Sequence, residues 1–242
     1  MQNSGCLRLS VICSSCQRPH LKLLSTRLCA LTGTLLIIFA NETNTLAVLV
    51  IYMTTKFLKI DLNKKVPFDQ AYWVVPDRLM AGYYPGSVHR QDANPKLSAL
   101  LQCGIRHFIS LMKDDEIIWY GKPVVPYEAQ VRSLSSGLDG EATFDRMPIK
   151  DMSIPTRIEM ARILDRIDHN IRNDKPVYLH CLGGVGRTGT VVGCYLARHG
   201  YASGQKILQL IQHLRQNTAT HDRLSPETRN QIDLVRSWVQ GE

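Results

Sequence analysis

From about residue 60 onward, short apolar runs alternate with segments whose apolar positions recur every three or four residues, as strands alternating with amphipathic helices do. Tyr72 to Val75, a Pro76-Asp77 turn and Arg78 to Gly82 predict a strand or hairpin. Residues 95–103 predict a short helix with Leu97, Leu100 and Leu101 inward and Gly104 as its stop, and 105–111 predict a strand. Residues 112–143 are mixed, and the acidic cluster Asp114-Asp115-Glu116 reads as a solvated loop. Arg146 to Ile149 give another short strand. Thr156 and Glu159 are spaced as a capping box, and Ile158, Ala161, Leu164, Ile167 and Ile171 follow at helical spacing. Lys175-Pro176 breaks that helix before the apolar Val177 to His180. Three helices end the chain: one closed by Gly200, one over about 203–216, and one over about 226–239 with Ser225 as N-cap and Pro226 in its first turn. This order implies a three-layer α/β domain over 60–242, with a mainly parallel central sheet flanked by helices.

The first 52 residues follow another pattern. Two apolar runs, Leu35 to Ala40 and Leu46 to Met53, are long enough together to span a bilayer. Glu42 near their midpoint opposes this, at a cost on the order of 3 kcal/mol for an acid at the bilayer centre. Residues 1–30 hold no acid and resemble a transit peptide, while the basic start and the run ending at Ala40 resemble a secretory signal. Asn41-Glu42-Thr43 is a glycosylation sequon that matters only in a lumenal segment. Met53 precedes a polar, domain-like start, so 1–52 reads as an extension that is dispensable, targeting, or a poor membrane segment. A cytoplasmic location is the expectation, with membrane anchoring or organelle targeting through 1–52 as the alternative.

Composition narrows the classes. The chain has 242 residues, 44% hydrophobic and 21% charged, which is globular rather than disordered. Of the net charge of +8, residues 1–60 carry +5 from six Lys/Arg and one acid, and the remainder lacks a basic stripe with interleaved aromatics. Nucleic acid is therefore not an expected partner. Seven scattered cysteines suit a reducing compartment rather than a disulfide scaffold. Cys13, Cys16, His20 and Cys29 lack a convincing zinc spacing.

The chemistry concentrates in Leu179 to Thr188, LHCLGGVGRT. Cys181 stands where a strand gives way to a helix, so the helix dipole, the loop amides and Arg187 all favour a thiolate. Leu182, Gly183, Gly184, Val185 and Gly186 form a loop whose glycines let several N–H groups converge on one anion, and Arg187 adds a planar fork for phosphate oxygens. A Walker loop would need a lysine that is missing. The dinucleotide fingerprint is matched only weakly, through Gly184, Gly186 and Gly189, and too late in the chain.

His180, Cys181, Arg187 and Thr188 match every defined position of His-Cys, five residues, Arg, Ser/Thr. In this the sequence resembles the cysteine-dependent protein tyrosine phosphatase superfamily, in its dual-specificity-like branch. The resemblance implies that Cys181 attacks phosphorus, Arg187 holds the phosphoryl oxygens, Thr188 supports the leaving thiolate, and His180 orients the loop. It also implies an aspartate acid, for which Asp151 stands thirty residues before Cys181. Asp145 is the runner-up. Ile149-Lys150 replaces the Trp-Pro that precedes the acid in tyrosine-specific members. Gln231 is the candidate for positioning the hydrolytic water, with solvated helix surface as the competing reading.

No metal or other cofactor is implied, since Arg187 and the loop amides take the charge a metal would carry. The loop has no lysine, unlike some members that act on inositol phospholipids, so a phosphorylated protein or peptide is the expected substrate. Tyr83 or Tyr84 is a candidate to stack on its ring. Cys103, Cys194, His107 and His169 are read as packing or surface residues. A phosphate-binding domain without turnover and a rhodanese-like sulfur transferase are the alternatives. The sequence leaves oligomeric state open.

Overall fold

The computed structural model describes the strand backbone of residues 22–29, 34–40 and 46–52, and then residues 61–62, 64–87, 90–117 and 121–242. The chain divides into two compact units, Met1–Lys56 and Phe57–Glu242.

In the first unit, β1 (Lys22–Cys29), β2 (Thr34–Ala40) and β3 (Leu46–Tyr52) form an antiparallel sheet in that order. The two apolar runs are thus strands β2 and β3, paired from Thr34 with Tyr52 to Ala40 with Leu46, instead of one spanning helix. Their Leu, Ile, Val and Phe content suits a pleated surface, and the polar 41–45 interrupts them. No helix among the described residues is long and apolar enough to cross a membrane. Cys13, Cys16, His20, the sequon at Asn41 and Met53 lie outside the described residues.

The second unit is built on β4 (Ala71–Val75), β5 (Leu79–Gly82), β6 (His107–Ser110), β7 (Thr143–Arg146) and β8 (Val177–His180), in the order β4-β5-β8-β6-β7. Only β4 and β5 pair antiparallel; the remaining pairs are parallel. Strand β8 therefore sits in the middle, and the loop that leaves it opens at the carboxyl end of four parallel strands. Alternation along the strands divides the core. Tyr72, Val74, Leu79, Ala81, Ile109 and Leu179 enter one apolar cluster, while Ala71, Trp73, Met80, Phe108 and Tyr178 enter the other.

Helices α1 (Arg90–Gln102) and α2 (Glu128–Ser135) contribute to the second cluster. Helices α3 (Arg157–Arg172), α4 (Gly186–Arg198), α5 (Gln205–Leu214) and α6 (Arg229–Ser237) contribute to the first. The three-layer α/β arrangement is the one the strand and helix order implies.

Several boundaries differ from the sequence expectation, each for a local reason. Helix α1 begins at Arg90, before Pro95; its first turn, Arg90 to Ala93, is largely polar and carries no periodic signal in the sequence. Helix α2 buries only Val131 and Ser135, too few to set a period. Strand β7 lies at Thr143–Arg146 rather than 146–149; as an edge strand it is half-exposed and lacks an apolar run. The core face of α3 is Met160, Ile163, Leu164 and Ile167, so Ile158, expected inward, is 69% exposed. The Thr156–Glu159 capping box is present.

At α6 the cap is not Ser225. Its hydroxyl donates to the Val185 carbonyl at 2.7 Å, and Thr228 with Gln231 forms the capping box instead. Helix α6 thereby starts three residues later than expected, and 225–228 becomes a segment that runs along the loop after β8.

Two substitutions separate the faces of α3. Ile163→Ala, which leaves a cavity in the core, costs about 2–5 kcal/mol of unfolding free energy in urea titration. Ile158→Ala changes it by about 0.5 kcal/mol or less. Thr228→Ala costs about 1 kcal/mol through loss of the α6 cap.

Candidate active site

The loop from Cys181 to Val185 is held by its carbonyl groups. His180 Nδ1 lies 3.1 Å from the Cys181 carbonyl, and the Leu182 carbonyl accepts from Tyr84 N–H at 3.1 Å. The Val185 carbonyl accepts from Ser225 Oγ, and the Gly186 carbonyl from Thr190 Oγ1 at 2.8 Å. These four carbonyls are thus engaged by groups other than the loop's own amides. Gly184 makes this turn feasible. Its φ is +69°, and a Cβ there would lie 2.5 Å from the Gly82 carbonyl carbon on the neighbouring strand.

His180 is fully buried, and burial pushes its pKa down to about 3, so its ring is neutral. Its Nε2 lies 2.5 Å from the hydroxyl of Tyr127, whose own pKa burial drives well above the usual phenol value. A neutral ring bonded to a phenol and a carbonyl accepts at Nε2 and donates at Nδ1. His180 therefore links Tyr127, at the N-terminal end of α2, to the backbone of Cys181.

Arg187, in the first turn of α4, is 2% exposed. Its two terminal nitrogens form a bidentate pair with Glu116, at 2.5 and 2.9 Å. One of them also reaches the Ile149 carbonyl at 3.1 Å, and the other lies 3.1 Å from Asp151 Oδ1. Burial alone would lower the Arg187 pKa, but the Glu116 hydrogen bond and the nearby Cys181 raise it, and the group stays charged. Arg187 Nε and Thr188 Oγ1 are buried without a partner.

Cys181, Leu182, Gly183, Gly186 and Arg187 line one cavity of about 400 Å³, together with Asp151, Tyr83, Arg223, Glu227 and Gln231. Asp151 projects from the turn after Ile149 with its side chain 66% exposed. Asp145 is elsewhere: it sits in β7, paired with His107 at 3.0 Å and Arg166 at 2.7 Å. The structure thus brings Asp151, and not Asp145, to the loop. Of the two tyrosines, Tyr83 faces the cavity, while Tyr84 is buried with its hydroxyl donated to the Val125 carbonyl.

Gln231 is interior rather than solvated helix surface. Its Oε1 accepts from the N–H groups of Glu227 and Thr228, each at 3.2 Å, and its Nε2 donates to the Ser153 carbonyl at 3.1 Å. It ties the start of α6 to the segment after Asp151. Cys103 and Cys194 lie outside the cavity, and burial raises the pKa of both thiols.

Sequence reasoning missed Glu116, Tyr127, Arg223 and Glu227. Glu116 is the clearest case. The cluster read as a solvated loop does expose Asp114 and Asp115, but Glu116 turns inward. The available signal was Arg187 itself, since a buried guanidinium requires a carboxylate from somewhere in the chain.

This loop, with a cysteine and a carboxylate-clamped arginine at its two ends between a central strand and a helix, defines a phosphate-loop site of the tyrosine phosphatase kind. A family model, described as Swiss Army Knife protein, DSP-PTPase phosphatase domain, matches residues 69–239. The chain belongs to that family, and with it to the dual-specificity-like branch of the cysteine-based protein tyrosine phosphatase superfamily.

Among curated proteins, the chain is 41% identical over 94 residues to the uncharacterized protein MJ0215 of Methanocaldococcus jannaschii, covering 39% of this chain and 54% of that one. It is 30% identical over 130 residues to the human dual specificity protein phosphatase CDC14C, covering 52% and 26%. The match therefore spans about half or less of these relatives' length. Among solved structures, Tk-PTP in its active form shares the fold at TM-score 0.52 and 20% identity, covering 71% of this chain and 97% of that one. PTPMT1 in complex with PI(5)P does so at 0.51 and 15%, covering 70% and 94%.

The neutral His180 sets a pH dependence. Its pKa is depressed in the fold, so below about 6.5 the unfolded chain binds a proton that the folded chain does not, and stability falls as pH falls. His107, lowered by burial to about 4 against the pull of Asp145, acts in the same sense. Between pH 6.5 and 4.5 each histidine removes up to about 1.4 kcal/mol per pH unit, read from urea titrations, and His180→Asn makes the slope shallower.

Proposed function

We propose that this chain hydrolyses phosphomonoesters on proteins, phosphotyrosine together with phosphoserine and phosphothreonine, through a phosphocysteine on Cys181 and without a metal. The observation that carries the reading is the shared cavity of Cys181 and Arg187, in which Arg187 Nε is buried without a partner while its terminal nitrogens are braced by Glu116. A phosphoryl group seated on the loop amides gives that Nε an acceptor and places phosphorus against the thiolate.

In the first half-reaction Cys181 Sγ attacks phosphorus, the ester P–O bond breaks, and Asp151 gives its proton to the leaving oxygen. Asp151 is suited to this task by its exposed position at the rim, where a protein-bound leaving group enters. In the second, water attacks phosphorus and the thiolate leaves, steadied by the buried Thr188 hydroxyl. Tyr83, half-buried on the cavity wall, offers a face for an aromatic leaving group. Phosphorylated proteins are the partners in this reading, and the cytoplasm the expected location.

The test uses the purified full chain with aryl phosphates in reductant and chelator. Cys181→Ser abolishes turnover, and Arg187→Lys lowers kcat/KM by about 10²–10³-fold. Asp151→Ala slows phenyl phosphate by about 10²-fold and p-nitrophenyl phosphate much less, because the better leaving group needs no proton. Turnover that survives Cys181→Ser, or that stops when divalent metal is removed, refutes the reading.

A further inference from the structure

Asp151 stands in a tight, exposed turn. Ser153 N–H donates to the Lys150 carbonyl at 3.1 Å, which makes Asp151 and Met152 the two central residues of a four-residue turn. Met152 has φ +58°, in the left-handed region where a residue with a side chain is strained. Met152 is 58% exposed and the Asp151 side chain 66%, so packing does little to hold the turn in this form. A strained turn with so little buried support persists only where the structure around it fixes its two ends.

At the entry, the Ile149 carbonyl accepts from Arg187 at 3.1 Å, and the Ile149 N–H donates to the Leu111 carbonyl at 3.0 Å. At the exit, the Ser153 carbonyl accepts from Gln231 Nε2 at 3.1 Å. Gln231 is itself fixed. It is fully buried and lies against Gly186 at the end of the phosphate loop, and its Oε1 accepts from the N–H groups of Glu227 and Thr228, each at 3.2 Å. Two N–H groups on one side and a carbonyl on the other allow only one orientation of the amide. Its oxygen is thereby filled, with no lone pair left for a water that must give up a proton.

The contact between Asp151 and Arg187 does not replace this brace. An aspartate that carries the proton for the leaving oxygen is neutral, and a neutral carboxyl has lost the charge that draws it to a guanidinium. In that state the backbone of the turn decides where the carboxyl points.

We propose that Gln231 is the positioning residue of the acid: through the Ser153 carbonyl it holds the strained turn that presents Asp151 to the leaving oxygen. This rests on the reading above, in which Asp151 is the acid of a phosphocysteine mechanism. Gln231 touches no reacting atom, and its effect on rate passes through Asp151. The role is distinct from orienting the hydrolytic water, the part the sequence suggested.

The test measures kcat/KM of the full chain on phenyl phosphate and p-nitrophenyl phosphate, which differ in their need for a proton on the leaving oxygen. Gln231→Glu keeps an acceptor for the two N–H groups and removes the donor to Ser153; Gln231→Met removes both. In each variant the ratio of phenyl to p-nitrophenyl phosphate falls about tenfold, whereas damage to the loop or the fold lowers both substrates alike and leaves the ratio unmoved. Gln231→Glu alone decides if Gln231→Met does not fold. Combined with Asp151→Ala, Gln231→Glu changes the ratio by less than about twofold, because the group it positions is gone. A ratio in Gln231→Glu that stays within about twofold of wild type, or a loss of about tenfold that persists in the Asp151→Ala background, overturns the proposal. Asp151→Ala that by itself leaves the ratio unmoved overturns the acid reading, and the brace with it.

Discussion

The bidentate pair between Arg187 and Glu116 is the interaction on which the site depends. A guanidinium this deeply buried is tolerated only if it is neutralised and its donors are satisfied. Glu116 takes the two terminal nitrogens, and backbone carbonyls at Leu111 and Ile149 take further bonds. What this leaves is the Nε, a buried donor with no hydrogen-bond partner. The pair also joins three parts of the unit: the segment after β6, the first turn of α4, and the turn that bears Asp151. The turn of Asp151, the Arg187 guanidinium and the loop are consequently held by one electrostatic clamp.

The fold contributes by placing that clamp over an open end of the sheet. Because β8 lies between β5 and β6, its carboxyl end is flanked by strands, and the loop after it can be gripped from both sides. Tyr84 N–H from the chain after β5 and Ser225 from the segment before α6 bond its carbonyls, and the strand neighbour Gly82 excludes any side chain at Gly184. The loop is kept in shape by hydrogen bonds from its outside. In the proposed reaction such preorganisation supplies the electrostatic stabilisation.

Much of this was legible in the chain. The loop residues Cys181, Arg187 and Thr188 could be read because their spacing encodes a local structure, a strand-to-helix turn, whose geometry depends on neighbours in sequence. The α/β class followed from the same local periodicities. What could not be read was long-range. Glu116 looks like its neighbours Asp114 and Asp115 until a buried arginine seventy-one residues away selects it. Ser225 looked like a helix cap because nothing nearby announced that Val185 would need its hydroxyl. Ile158 fits a helical period as well as Ile163 does, and only packing decides which face is covered.

The central claim is that Cys181 carries the phosphoryl group between two half-reactions. Acid quench of the full chain during turnover of an aryl phosphate, followed by mass mapping of the peptide Val177 to Arg187, tests it most directly. The account predicts phosphate on Cys181 and no adduct in Cys181→Ser. Product formed at an undiminished rate by Cys181→Ser, with no phosphorylated peptide in either chain, would contradict it.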